Sequence, residues 1–374
     1  MYSPKFRYTH MSVKNLLSIE RARVVVDMLP LPADVERKLR DRAKLSMAHY
    51  STRIEGNPLD YSEAQKAILG RKDRRGAKAE QEVRNYWDAL TFLATSKKMR
   101  IPITENFIKR LHSIIEVRSI GRRHKESQYR GAMPPGLLFA VYDNISKQPE
   151  YIPPEYNDVP ILMADYIKWI NSDDAYQLPA PVKAAIATYQ LVTIHPFEDG
   201  NGRTARAIAT YVLSTDGYDL KGFNSMEEYY VEDLQGYYEN LQMKLPPLYY
   251  DGRNNPDLSP WIDYFTTIMA KGFQRIAVLA QAQYQEQIHP RVRNLDPKEK
   301  IVLKLLLLKG GEITPKDIGD EFKSVNSRTI TKWAQTWMEK GLLEAASGKK
   351  RIRSYRIGQE YTNVNLEDLG FFRE

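Results

Sequence analysis

The stretch HPFEDGNGRTAR, residues 195–206, constrains the fold more than any other part of this chain. It lies between two apolar segments with helical character, PVKAAIATYQLVTI before it and TARAIATYVLST after it. Gly200 and Gly202 flank an asparagine where the second helix begins. Because glycine leaves the backbone amides of a helix N-terminus uncrowded, these amides can approach an anion closely. The sequence therefore predicts two apolar helices joined by an anion-binding turn.

Charged residues and a histidine accompany these glycines. Arg203 and Arg206 are three residues apart on the first turn of the second helix, so both can reach phosphate. Asp199 places a carboxylate, the kind of oxygen ligand that Mg²⁺ prefers, beside the anion site. His195 can take a proton from an incoming hydroxyl group. The combination predicts phosphate-centred transfer from a nucleotide; the alternative is a capped helix–turn–helix with an incidental histidine.

The same stretch matches every fixed position of HPFx[D/E]GNGRxxR, the signature of the Fic family, and the chain resembles that family over roughly residues 40–265. The resemblance implies transfer of AMP from ATP to a Tyr, Ser or Thr hydroxyl of a target protein. It implies that His195 is the general base, that Asp199 holds Mg²⁺ and that Phe197 anchors the loop in the core. The residues implied to bind phosphate are Gly200, Asn201, Gly202, Arg203 and Arg206. Phosphotransfer toxins of the related Doc branch carry Lys where Gly202 stands, so the chain follows the adenylyl-transfer pattern.

A second motif contains an acid at an unfavourable place. The segment KLSMAHYSTRIE is typical of a helix that Gly56 and Pro58 end, so Glu55 falls in the last turn, where the helix dipole disfavours negative charge. Many Fic proteins carry an inhibitory helix with the motif [S/T]xxxE[G/N], which Ser51, Glu55 and Gly56 match. The resemblance implies an N-terminal inhibitory helix over about residues 40–56, in which Glu55 pairs with Arg206 and denies it to the γ-phosphate. The alternative is a solvated glutamate.

Two further stretches fit the family. Tyr237 and Tyr238 resemble a tyrosine pair that lines the adenine side of the pocket in relatives; the alternative is packing in the helical core. A β-hairpin is expected within residues 130–152. The resemblance implies that it is the flap, which holds an extended segment of the target by strand-like pairing. The flap residues named for this contact are Leu137, Leu138 and Phe139, and the alternative is an ordinary surface hairpin.

The spacing of apolar residues predicts a mainly α fold with a second, C-terminal unit. We expect an N-terminal helical region over residues 1–100, a Fic catalytic core over 101–285 with a small β-hairpin flap, and a winged-helix domain over 290–374. Ser62 and Gln65 have the spacing of a capping box that opens a helix in the N-terminal region. The winged helix carries basic residues that are typical of DNA contact; the alternative is a role in protein contacts. These residues are Arg328, Lys332, Lys349, Lys350 and Arg351.

Composition limits the classes of partner and compartment. The 374 residues carry a net charge of +8, which favours anionic partners such as nucleotides or nucleic acid. Cysteine is absent, which removes disulfides, thiolate zinc sites and cysteine nucleophiles. We find no apolar run of the ~18–20 residues that a membrane span needs, and no signal peptide. A cytoplasmic protein without a membrane partner is therefore expected.

These observations predict a Mg²⁺-dependent protein adenylyltransferase that uses ATP and is auto-inhibited by Glu55. Two alternatives remain open: removal of AMP from a modified protein by the same site, and a DNA-binding regulator whose Fic domain senses nucleotides. The target protein and the choice of ATP over GTP or UTP do not follow from the sequence. Self-modification on one of the 24 tyrosines and a homodimer are further hypotheses about partners.

Overall fold

The computed structural model describes residues 2–70, 78–116, 127–142, 148–287, 292, 294–323, 325–346, 352–364, 366, 368 and 369. The chain forms two compact units, one of residues 1–28 with 32–279 and one of residues 29–31 with 280–374. Each is described separately below. In the described part of the chain, no helix combines the length and the apolar character that crossing a membrane requires.

The first unit is almost entirely helical. Its helices are α1 His10–Met28, α2 Ala33–Ile54, α3 Tyr61–Leu69, α4 Lys78–Lys98, α5 Glu105–Ile115, α6 Val159–Ile170, α7 Asp173–Tyr176, α8 Ala180–Ile194, α9 Asn201–Thr215, α10 Glu227–Glu232, α11 Leu234–Gln242 and α12 Ser259–Gln287, the last of which continues into the second unit. Short helical turns at Leu220–Gly222 and Tyr249–Arg253 complete the unit. The predicted helical character of this region is confirmed.

The paired helices α8 and α9 occupy the centre of the first unit. Every residue of α8 except Val192 is buried, as expected of a helix that is apolar on all sides. Helix α9 packs along α8, and Trp261 of α12 donates its indole N–H to the Ala185 carbonyl of α8 at 2.8 Å. Because Trp261 is fully buried, this bond satisfies the one polar atom of a large core side chain. The loop between α8 and α9 is therefore held by the best-packed part of the molecule.

Side-chain caps set the starts of two neighbouring helices. Thr104 accepts a hydrogen bond from the Phe107 amide at the start of α5. Helix α3 begins with a capping box, but Asp60 and Glu63 form it, not Ser62 and Gln65. The prediction was wrong by two residues because Asp is at least as good a cap as Ser and stands earlier in the chain.

A two-stranded antiparallel hairpin interrupts the helices of the first unit. Strand β1 is Val141–Tyr142 and strand β2 is Pro149–Tyr151, with Val141 opposite Tyr151. Leu137, Leu138 and Phe139 lie just before β1 and outside the ladder, and the first two are exposed. A proline at the start of β2 suits an edge strand, because the position lacks an N–H to donate.

Within its described residues, the second unit has three α-helices, a three-stranded antiparallel sheet and a short helical turn at Gln359–Tyr361. Its elements are α13 Pro297–Leu308, β3 Glu312–Ile313, α14 Pro315–Glu321, α15 Ser327–Glu339, β4 Leu343–Ala345 and β5 Tyr355–Ile357, with strand order β3–β5–β4. Arg328 and Lys332 are exposed one turn apart on α15, while Ile330, Ala334 and Trp337 face the core. Lys349, Lys350 and Arg351 lie outside the described residues.

Trp337 tests the core of the second unit. It is buried among the apolar side chains of α13, α15 and the sheet. We expect Trp337→Ala to lower the free energy of unfolding of this unit by roughly 3–5 kcal/mol, because it removes a large buried ring and leaves a cavity. Urea unfolding followed by circular dichroism measures the loss. The exposed neighbour change Gln335→Ala is the control, and equal stability of the two variants would contradict the assigned core.

Candidate functional site

The loop between α8 and α9 is closed by its own side chains. His195 ends α8 in the left-handed region, with φ 52° and ψ 57°, and Gly200 begins α9 with φ 75°. Asn201 then joins the two ends: its Oδ1 accepts from the Phe197 amide, and its Nδ2 donates to the Phe197 carbonyl, both at 2.9 Å. The side chain of Asn201 thus shapes the loop, and only its backbone amide is left for the predicted phosphate contact. Phe197 is buried, as the resemblance implied.

His195 is set up as a neutral base. Its Nδ1 lies 3.2 Å from the Val192 carbonyl, which can only accept, so Nδ1 carries the proton and Nε2 keeps its lone pair. Burial lowers the pKa of His195 to about 4, although the bond to Val192 acts in the opposite direction. The ring is therefore unprotonated near neutral pH. A neutral imidazole with Nε2 available can accept a proton from a hydroxyl group.

The start of α9 offers backbone donors. The first bond within the helix runs from the Thr204 amide to the Gly200 carbonyl at 2.9 Å. The amides of Asn201, Gly202 and Arg203 precede it, and amides at these positions have no acceptor within their own helix. Together with the helix dipole, they form a site for negative charge. The sequence prediction of an anion site thus has a matching geometry.

Asp199 and Arg203 lie beside these amides. Asp199 Oδ1 accepts from the Gly200 amide at 2.7 Å and lies 3.5 Å from a guanidinium nitrogen of Arg203. The Asp199 side chain is 58% exposed, whereas that of Arg203 is 6% exposed. An exposed carboxylate next to an anion site suits a cation that arrives together with a phosphate.

Arg206 is buried and bound by α2. Its Nε donates to Ser51 Oγ at 3.0 Å, and one terminal nitrogen donates to the Ser51 carbonyl at 2.9 Å and to Glu55 Oε1 at 2.8 Å. Burial alone would lower the pKa of Arg206, but the charge and hydrogen bond of Glu55, together with the nearby Tyr237 and Tyr86, outweigh it and the net pKa is raised. The structure therefore brings Glu55 and Arg206 together, as the resemblance implied, and adds Ser51 as a second partner of the arginine.

Glu55 also covers a glycine of the motif. It is the C-cap residue of α2, and Gly56 follows it with φ 87°. A Cβ atom placed on Gly202 would clash with Glu55 Oε1. The acid therefore occupies space that opens only because residue 202 lacks a side chain. A ligand anion bound at Gly202 and Arg206 would have to displace it.

Glu116 is an acid of the site that the sequence analysis missed. It is the C-cap residue of α5, and its Oε1 forms an ion pair with Arg203 at 2.8 Å. A Cβ atom on Gly200 would clash with this carboxylate. The signal that pointed to Glu55 was also available for Glu116, because both are acids at a helix C-terminus, where the helix dipole disfavours negative charge.

His112 and Arg130 support the loop and were also missed. His112 stacks on Phe197 with ring centroids 3.7 Å apart, and its Nε2 donates to the Asp199 carbonyl at 2.8 Å. Arg130 donates from Nε to the His195 carbonyl at 2.8 Å and from a terminal nitrogen to the Pro154 carbonyl. Both contacts join distant parts of the chain, so no local spacing reveals them.

The tyrosine pair and the flap residues have separate surroundings. Tyr237 is buried and packs 4.6 Å from the ring of Tyr230. Tyr238 is partly exposed and donates from its hydroxyl to the Ile54 carbonyl at the end of α2. Tyr237 thus packs in the core and also interacts with Arg206, while Tyr238 lies at the end of α2. The Phe139 ring lies 5.9 Å from the His195 ring, so this residue is at the site. Leu137 and Leu138 are exposed.

His112 predicts a pH-dependent stability. Burial lowers its pKa to about 4, while the ordinary value of 6.5 applies in the unfolded chain. Between these values the unfolded state binds the proton and the folded state does not, so stability falls as pH decreases from 6.5 to 4. His112→Asn should make this slope shallower by up to about 1.4 kcal/mol per pH unit. Urea titrations at several pH values between 4 and 6.5 measure the free energy of unfolding. The control is His10→Asn, which changes an exposed histidine. If stability depends on pH equally in wild type and His112→Asn, His112 is not the cause.

Comparisons with known proteins agree with this geometry. Residues 102–213 match the model of the Fic/DOC family. A protein adenylyltransferase Fic from Drosophila virilis is 26% identical over 211 residues, which are 55% of this chain and 40% of the relative. The Drosophila melanogaster protein of the same name is also 26% identical, with 39% of its length covered. The chain thus spans about two fifths of the length of these curated relatives.

Solved structures extend the likeness of the fold. The crystal structure of a Fic family protein from Desulfovibrio desulfuricans G20 superposes with a TM-score of 0.59 at 19% identity, covering 96% of this chain and 99% of that one. Fic-1 from C. elegans, residues 134–508, gives a TM-score of 0.55 at 22% identity and covers 72% of this chain and 73% of that one. At these identities the likeness concerns the fold alone. Together with the family match, it shows that residues 102–213 are similar to the Fic/DOC family and that the chain has the fold of these Fic proteins.

Proposed function

We propose that the chain is a protein adenylyltransferase that transfers AMP from ATP to a Tyr, Ser or Thr hydroxyl of a target protein and is held inactive by Glu55. The relatives named protein adenylyltransferase support the activity. The observation that carries the inhibition is the contact of buried Arg206 with Ser51 and Glu55. An enzyme of this kind without cysteine suits the cytoplasm.

The residues of the loop divide the reaction between them. His195 Nε2 takes the proton of the target hydroxyl, and the hydroxyl oxygen then forms a bond to the α-phosphorus. The bond from this phosphorus to the β-phosphate bridging oxygen breaks, and pyrophosphate leaves with the electron pair. Arg203 and the amides at the start of α9 stabilise the charge on the phosphates. Little else is required of the protein, because phosphoryl-type transfers depend chiefly on positioning and charge.

Mg²⁺ belongs to this proposal through Asp199. The exposed Asp199 carboxylate lies next to the anion site, and Mg²⁺ is commonly held by one or two carboxylates together with substrate phosphates. The donor set therefore fits. When bound, the ion would neutralise phosphate charge in the transition state.

Inhibition follows from where Arg206 is held. With its guanidinium on Ser51 and Glu55, Arg206 cannot bind the γ-phosphate, so ATP lacks the contact that aligns its α-phosphorus with the hydroxyl. A charge as deeply buried as Arg206 will not remain unpaired, so a phosphate has to replace the carboxylate. This makes Glu55 and the γ-phosphate direct competitors.

Transfer of label from ATP carrying ³²P at the α-phosphate tests the proposal. With Mg²⁺ present, Glu55→Gly should increase label on protein, including the chain itself, by roughly tenfold or more, since the inhibited state loses its ion pair. Adding His195→Ala should abolish it. Asp41→Asn, on the exposed face of the same helix, is the control and should behave like wild type.

The same variants distinguish the reverse reaction. The Glu55 carboxylate is close enough to raise the pKa of His195 against the larger effect of burial, so it could also orient a water molecule there. If Glu55→Gly leaves transfer unchanged and abolishes AMP release from a modified protein, removal of AMP is the activity. No transfer and no release by any folded variant would exclude both.

DNA binding by the second unit is a separate proposal. Arg328 and Lys332 present two exposed cations on one face of α15. If this face binds duplex DNA, Arg328→Ala with Lys332→Ala should weaken retention and reduce the slope of log affinity against log salt by about 1.8, since each phosphate contact contributes about 0.9. Fluorescence anisotropy over a salt series measures this in the full chain. His195→Ala should leave it unchanged, and salt-independent retention would refute the proposal.

A further inference from the structure

Two acids enter the anion site from equivalent positions. Glu55 is the C-cap residue of α2, with φ −88° and ψ 14°. Glu116 is the C-cap residue of α5 and has nearly the same backbone conformation, with φ −98° and ψ 6°. Carboxylates at such positions are opposed by the helix dipole. The same unfavourable placement occurs on two helices that are unrelated in sequence and meet at one loop. Each acid must therefore have a compensating partner.

The partners are equivalent as well. Glu55 Oε1 lies 2.8 Å from Arg206, and Glu116 Oε1 lies 2.8 Å from Arg203. Each carboxylate also fills the space of a missing Cβ, at Gly202 for Glu55 and at Gly200 for Glu116. Each half of the anion site thus pairs one glycine with one arginine and holds the carboxylate of a glutamate from a helix end.

Glu116 is less exposed than Glu55, at 18% against 33% of the side chain. It also shares its arginine, because Asp199 lies 3.5 Å from the same terminal nitrogen of Arg203. Two carboxylates on one guanidinium nitrogen repel each other, which weakens the attachment of Glu116. A phosphate bound beside Gly200 by Arg203 would take the same guanidinium and the same space, so it cannot be present together with this carboxylate.

We infer that Glu116 is a specificity-determining residue that competes with the α- and β-phosphates for Gly200 and Arg203, independently of the competition between Glu55 and the γ-phosphate. This rests on the proposed function in one respect, namely that the site binds a nucleotide. The consequence concerns the number of phosphates. Glu116 lowers the affinity for every nucleotide with at least two phosphates, whereas Glu55 lowers the affinity only for nucleotides with a third phosphate.

Calorimetric titration of the full chain with ADP and with ATP, both with Mg²⁺, separates the two acids. Glu116→Gln keeps the size of the side chain and removes its charge. The dissociation constants of ADP and of ATP should therefore both fall by about five- to tenfold. Glu55→Gln should tighten ATP more than ADP. Glu198→Gln removes the same charge from an exposed side chain of the same loop and should change neither affinity by more than about twofold.

A second variant separates contact from general charge. Glu116→Asp keeps the charge but is one methylene shorter, so it should also tighten ADP, because its carboxylate no longer reaches Gly200. Thermal unfolding confirms that each variant is folded. If Glu55→Gln tightens ATP while both Glu116 variants leave ADP affinity unchanged or weaker, the nucleotide function stands and the role of Glu116 is wrong. If no folded variant binds either nucleotide, the proposed function fails, and this inference fails with it.

Discussion

The ion pair between Arg206 and Glu55 is the interaction on which the arrangement of the site depends. Arg206 is 3% exposed, so its charge is stable only while an acceptor is supplied. In this structure α2 supplies it, through the Glu55 carboxylate and the hydroxyl and carbonyl of Ser51. A helix from the N-terminal part of the chain thereby contacts Arg206, which lies 151 positions after Glu55. The site is incomplete without it.

Three buried side chains hold the loop between α8 and α9 in place. The Asn201 side chain bonds to the Phe197 backbone within the loop. His112 donates to the Asp199 carbonyl, and Arg130 donates to the His195 carbonyl. None of these three side chains is exposed to a substrate, since all are more than nine-tenths buried. Such support keeps reacting groups in place to within fractions of an ångström, which is what transfer chemistry requires. The helices α8 and α9 supply the rigid base for it.

The parts of this site that could be predicted from sequence are those encoded by local spacing. His195, Asp199 and the glycines fall within one short stretch of sequence, and Glu55 falls within another, so their chemistry can be predicted without a fold. His112, Arg130 and Glu116 act on residues 65 to 87 positions away, and only tertiary packing reveals them. The capping box shifted by two residues because adjacent polar side chains compete for the same role. Tyr237 shows the converse case, in which an aromatic residue has ample packing partners in the core.

The order of the two motifs along the chain has a consequence for biosynthesis. Glu55 and Arg206 are 151 residues apart, and the acid comes first. Because a chain is synthesised from its N-terminus and its domains fold as they emerge, α2 leaves the ribosome well before the loop that contains His195. Any nascent chain long enough to include this loop therefore already carries α2. Under the proposed function, a product of interrupted translation that ends between the two motifs has the restraining helix without the loop, and none has the loop without the helix.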